Sequence, residues 1–215
     1  MSHPFHFLTR LNLVELLGRK AKNARELLAA LQDVPGSSVY YHTHRFIQQH
    51  LDLSPEPPND FAFWITNALG QDALGERLAS VDTVRFRSIT SLRKALLDIL
   101  TTALAEPKGR NGECQEGEEF HFLSCRTFIL PTAYMAHGLR DFQEIVQKVS
   151  IDSIYYHMFE ARLRLENGDN DFSDWFEELG ETALAQEISR MDPYNVTLEG
   201  LRRKIVQKVS EYVQN

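Results

Sequence analysis

The residues of this chain best suited to chemistry are three histidines in one short run, Tyr40-Tyr41-His42-Thr43-His44-Arg45-Phe46-Ile47-Gln48-Gln49-His50. Neutral imidazole is the commonest protein metal ligand. His42, His44 and His50 are therefore a candidate metal set, and a metal-dependent hydrolase is the reaction it would serve. Helical geometry weighs against it: residues two apart on a helix point about 200° from one another, so His42 and His44 cannot chelate one ion from that helix alone. The leading expectation is accordingly no metal and no cofactor. The second candidate set is Tyr41, His42 and Arg25 with Tyr156, His157 and Arg140. If the two triplets face each other, they line a shared cleft for a polar or anionic ligand.

Asp60 and Asp171, in Asn59-Asp60-Phe61 and Asn170-Asp171-Phe172, offer paired carboxylates, but helix capping explains those tripeptides better. Arg162, Arg164, Arg202, Arg203 and Lys204 stand at helical spacing beside acids and read as solvated ion-pair faces. No glycine-rich phosphate loop, GxSxG elbow or HExxH is present, so no reaction can be named from a motif.

These groups recur because much of the chain is written twice. Ser38-Val39-Tyr40-Tyr41-His42 returns as Ser153-Ile154-Tyr155-Tyr156-His157. Residues 5–42 align with 120–157 without a gap, Phe5-His6-Phe7-Leu8 falling on the identical Phe120-His121-Phe122-Leu123. Arg25 meets Arg140 and Gln32 meets Gln147; further on, Trp64 answers Trp175 and Leu69-Gly70 answers Leu179-Gly180. Blocks in the same order in both halves indicate an internal duplication. The metal set is not part of what is duplicated, since Phe159 and Leu165 stand where His44 and His50 do.

The elements expected to position these residues are helices. Leu13, Leu16, Leu17, Ala21, Ala24, Leu27, Leu28 and Leu31 have helical spacing from about residue 12 to Val34-Pro35-Gly36. Ser37 or Ser38 then offers an N-cap to a helix carrying the Tyr-Tyr-His run. Further helices are expected over about 60–69, 72–79 and 90–104. In the second half Pro131 suits the first turn of a helix running to about Val149. Helices over about 152–166, 171–179, 181–190 and 196–213 follow it. The expected fold class is mainly α, two homologous helical repeats (1–105 and 120–215) packed as one body about a pseudo-two-fold axis and joined by a mobile polar linker over 106–119. The stretch Phe120–Leu130 is richer in aromatic and β-branched residues, which leaves open a short pair of strands formed by the two Phe-His-Phe-Leu segments.

Bulk properties set the limits. A net charge of −7 and a pI near 5.6 argue against nucleic acid or an anionic membrane as partner. Hydrophobic content of 43% suffices for a core, and no run approaches the roughly 18 apolar residues of a membrane span. The polar start and the two cysteines, Cys114 and Cys125, not spaced as a metal knuckle, point to a reducing cytoplasm. The expected partner is a small molecule or a protein, and the expected state a monomer or homodimer.

Through its Tyr-Tyr-His and Asn-Asp-Phe-x-x-Trp blocks, and most specifically through Ser37-Ser38-Val39-Tyr40-Tyr41-His42-Thr43-His44, the chain resembles a family of uncharacterised bacterial proteins defined only as a domain of unknown function. The likeness covers nearly the whole chain and implies a bacterial, cytoplasmic protein with no assigned activity. The leading expectation is a non-catalytic binding or regulatory protein whose partner lies near the two Tyr-Tyr-His segments. The alternatives are the hydrolase and a structural module docking a basic partner on the acidic surface.

Overall fold

A computed structural model describes residues 3–49, 59–106, 112–161, 170–191 and 196–213. Two long strands, β1 (Phe5–Ala21) and β2 (Phe120–Ala136), pair as a two-stranded antiparallel sheet. This corrects the all-helical repeat pair, because the start of each expected first helix is strand. The helical spacing of Leu13, Leu16, Leu17 and Ala21 is equally a run of apolar residues on an extended chain, and such runs are decided by what they pair with. The partner is β2, whose Thr127-Phe128-Ile129-Leu130 is β-branched and aromatic. Pro131 sits within that strand rather than at a helix start. It is exposed there, where a missing backbone donor is tolerated.

The chain folds into two compact units. One comprises Asn12–Phe46 and Pro55–Arg126; the other comprises Met1–Leu11, Ile47–Ser54 and Thr127–Asn215. The first part of each strand therefore belongs with helices far away in sequence. Phe5 to Leu11 packs with the helices of the second half, and Phe120 to Arg126 with those of the first.

In the first of these units, α1 (Ala24–Asp33) starts at Asn23, whose side chain accepts the Glu26 N–H at 2.9 Å while the Glu26 carboxylate takes the Lys22 N–H at 2.9 Å. Each side chain so satisfies a backbone donor at the helix start. Pro35 ends it by holding Val34 extended. Next come α2 (Gly36–Gln49), α3 (Asp60–Asn67), α4 (Asp72–Ala79), a 3₁₀ turn (Thr83–Arg85) and α5 (Ile89–Ala105). Ser37 and Ser38 lie inside the first turn of α2 and do not cap it. Asn59 caps α3 by accepting the Ala62 N–H, and Ser88 caps α5. Leu92, Leu96 and Leu100, one turn apart on α5, are buried in one core with Leu27 and Leu31 of α1, and α5 packs against α1 and α4 while α3 pairs with α4. Phe120 and Phe122 complete this core.

The other unit repeats the plan with α6 (Leu139–Val146), α7 (Ile151–Tyr155), α8 (Asp171–Glu178), α9 (Thr182–Ser189) and α10 (Leu198–Val213). The last turn of α7 widens to a π-helical turn over Tyr156–Glu160, whereas α2 shows none. Phe7, Phe142, Ile154, Phe172, Phe176 and Ile205 form its core. Within the stretch expected as a linker, residues 107–111 lie outside the described residues. The rest is bound down: Cys114 N–H donates to the Lys22 carbonyl at 2.8 Å, and Trp64 Nε1–H to the Glu118 carbonyl at 2.6 Å. The expected connector over 54–58 also lies outside the described residues.

Candidate functional site

Ser38 and His42 stand four residues apart on α2 and so share a face. That face meets the backbone of Leu123 in β2. The Leu123 N–H donates to His42 Nε2 at 2.9 Å, and Ser38 Oγ–H donates to the Leu123 carbonyl at 2.7 Å. One serine and one histidine thereby give Leu123 an acceptor and a donor, as a neighbouring strand would. The other ring nitrogen, Nδ1, lies 2.8 Å from the Asp60 carboxylate at the start of α3. Since Nε2 accepts from an amide, the ring proton resides on Nδ1 and is donated to Asp60. Capping by Asn59 fixes where α3 begins, and hence where that carboxylate sits. The imidazole is buried among Phe61, Phe120 and Phe122, with ring centres 5.5, 4.7 and 6.0 Å away.

The same arrangement stands in the other unit. The Leu8 N–H donates to His157 Nε2 at 2.8 Å, Ser153 Oγ–H to the Leu8 carbonyl at 2.6 Å, and His157 Nδ1 meets Asp171 at 2.7 Å. Phe172, Phe5 and Phe7 take the places of Phe61, Phe120 and Phe122 around the ring. Trp175 Nε1–H donates to the His3 carbonyl at 2.9 Å, matching Trp64 on Glu118. Arg93 and Arg202 likewise both tie down carbonyls at or just beyond the end of the first helix of their unit, Val34 after α1 and Val146 and Val149 at α6.

A family of unknown function, DUF5752, matches residues 2–210. The chain belongs to that family. Among solved structures, OrfY from Thermoproteus tenax is similar: it is 28% identical over 99% of this chain and 97% of its own, with a TM-score of 0.82. No curated protein matches.

For this family member an Asp–His pair invites comparison with hydrolytic triads, in which the distal imidazole nitrogen takes a proton from a nucleophile. Here that nitrogen faces a backbone amide in both units. Its lone pair is spent on a strand, so the pair is a bracket, not a base. The same geometry bears on the metal set. His42 has both ring nitrogens engaged, His44 Nδ1 lies 2.8 Å from Thr43 Oγ1, and His50 lies outside the described residues. Among the described residues no three His, Cys, Asp or Glu side chains are grouped to hold a metal ion.

Of the expected cleft residues, Tyr41 and His42 come together in one unit, as Tyr156 and His157 do in the other, and all four are buried. Arg25 on α1 and Arg140 on α6 are exposed instead. Both cysteines are free; burial, followed by the Glu119 carboxylate, pushes the Cys114 thiol up and away from a reactive thiolate. The sequence reading missed Ser38, Ser153 and the two leucines as partners of the histidines. Its only signal was Ser-x-x-x-His at one-turn spacing in both halves.

The flanks of the two brackets differ. Beside His157, the buried Arg10 forms an ion pair with Glu160 at 2.9 Å, its guanidinium 4.3 Å over the Tyr155 ring. Beside His42, Cys125 stands at the position matching Arg10, and Tyr40 stacks on His44 at 4.8 Å.

Proposed function

We propose that the protein is a non-catalytic binding protein whose partner is another protein. The observation that carries this reading is that His42 and His157, the groups best placed for chemistry, spend both ring nitrogens on structural hydrogen bonds. A second feature supports it. In one unit Leu11, Phe128, Ile129, Leu130, Tyr134 and Met135 are exposed, and in the other Leu13, Val14 and Leu16. Exposed consecutive strand residues leave both faces of a strand uncovered, and contiguous exposed apolar surface marks interaction sites. Thr127–Ala136 carries no charged residue in a chain of net charge −7. That composition suits an apolar protein surface and disfavours an ionic ligand.

Two related readings belong here. The two units descend from one ancestral unit by duplication, supported by identical brackets built from matching residues. The protein works in the cytoplasm, supported by its two free cysteines.

Native mass spectrometry of the full chain tests the binding reading. An assembled species that disperses in a Phe128→Glu/Ile129→Glu variant is the expected result, since both residues are already about half exposed and stand outside the buried core. A chain that stays a bare monomer at micromolar concentration, or one that carries stoichiometric transition metal lost on His42→Ala, contradicts it.

A further inference from the structure

Each unit seats a Phe-His-Phe-Leu segment, and the two segments are identical through all four residues. The seats are built from the same groups as well. Ser38 and His42 hold Leu123 in one, Ser153 and His157 hold Leu8 in the other, and in both a tryptophan donates to the carbonyl two residues before the first phenylalanine. Either segment therefore suits either bracket. Yet Phe5–Leu8 lies with the helices of the second half and Phe120–Leu123 with those of the first. A residue outside the tetrapeptide must assign each segment to its unit.

The difference lies two residues further along each strand, where Arg10 follows one segment and Cys125 the other. The Arg10 side chain is 1% exposed, pairs with Glu160 at 2.9 Å and lies 4.3 Å over the Tyr155 ring. Cys125 is buried too, its thiol 3.9 Å from the Ser37 carbonyl. In the gapless alignment of the halves the position matching Glu160 is Arg45, so the other seat has no acid there for an arginine. Tyr40, which matches Tyr155, is stacked on His44. In that seat Arg10 would be a buried charge without its carboxylate. Cys125 beside Glu160 would leave the carboxylate without its cation. Both misplacements are penalised, each by on the order of a hundredfold in population.

We propose that the Arg10–Glu160 pair is the address of the first segment. It decides which of two otherwise equivalent seats Phe5–Leu8 occupies, and so excludes the alternative fold in which each half of the chain holds its own segment. A buried ion pair adds little net stability over an apolar pair of the same size, but it selects one arrangement among near-equals. The inference stands apart from the partner reading above.

Amide NMR of the full chain, labelled with nitrogen-15 at leucine, reads the seating. In the native protein the Leu8 signal moves on His157→Ala and the Leu123 signal on His42→Ala. Arg10→Met/Glu160→Met removes the address while keeping both brackets and an apolar filling. It is expected to fold and to give two signals for each of Leu8 and Leu123, the new Leu8 signal moving on His42→Ala and the new Leu123 signal on His157→Ala. A single native set of signals in that variant overturns the address. Where the variant fails to fold, Arg10→Cys/Cys125→Arg gives the answer, because it transfers the arginine to the other segment. The new signals are then expected to dominate. A native set, or failure of this second variant to fold as well, makes the pair a support of the fold alone and overturns the proposal.

Discussion

The two brackets are alike in every polar contact and differ in how deeply they are set. Asp171 keeps 17% of its side-chain surface in water and Asp60 keeps 42%, while the histidines are equally buried. Around His157 the unit adds a π-helical turn, the Arg10–Glu160 pair and an arginine stacked on Tyr155. Around His42 it has Cys125 and the Tyr40–His44 stack. The bracket is the constant part, and its neighbours are where the halves diverge. A charge buried beside one copy demands a partner, which the uncharged copy does not. Of the two, the half holding Phe5–Leu8 therefore depends more on each single residue.

That asymmetry can be broken first at Arg10. Arg10→Ala strands Glu160 largely buried without its cation and costs about 3–5 kcal/mol, the usual loss when one member of a buried pair is removed. Chemical denaturation measures it, and Arg10→Met/Glu160→Met recovers most of the loss. The matching change in the other half, Cys125→Ala, costs about 1 kcal/mol, since a small buried side chain and no charge is lost. Equal costs would show that the two flanks do not differ in the way described.

Next come the histidines. His157→Ala leaves the Leu8 N–H and the Asp171 carboxylate without the ring between them, at about 2–3 kcal/mol. His42→Ala follows the same logic but costs less, because Asp60 is already well hydrated. Thermal melts of both variants rank them. Smaller again, Ser38→Ala and Ser153→Ala each remove one hydroxyl donor at about 1 kcal/mol. Hydrogen exchange should show faster opening at Leu123 in the first and at Leu8 in the second, and not the reverse.

The smallest effect lies on the surface, at the cluster of Lys208, Glu187 and Glu211 in the second half. A hydrogen bond from Lys208 holds the Glu187 carboxyl below its ordinary value. A carboxyl lowered on folding stabilises above its unfolded value and loses that contribution as pH falls through the folded one. Glu187→Gln should therefore flatten the acid limb of the stability curve slightly. Added salt should shrink the difference, since the pair is exposed.

Much of this was legible in the sequence. Asn59 and Asn170 as caps, and the helices starting at Asp60, Asp72, Asp171 and Thr182, needed only local signals. β1 did not, because Leu13, Leu16 and Leu17 fit a helix and a strand alike, and pairing with residues more than a hundred positions away decided between them. The bracket was hidden for the same reason. Ser-x-x-x-His shows which side chains share a helix face, but nothing local to Ser38 and His42 says that Leu123 lies across from them. Asp60 was expected as a cap candidate, and its task became visible only when Asn59 was seen to hold that role.

The central claim, that His42 and His157 bracket strands and are not bases or ligands, is tested most directly by long-range nitrogen–proton NMR of the imidazole rings at neutral pH. The account predicts two rings with the proton on Nδ1 and an unprotonated, hydrogen-bonded Nε2, assigned by their loss in His42→Ala and His157→Ala. A proton on Nε2 in either ring, with Nδ1 bare, would contradict it.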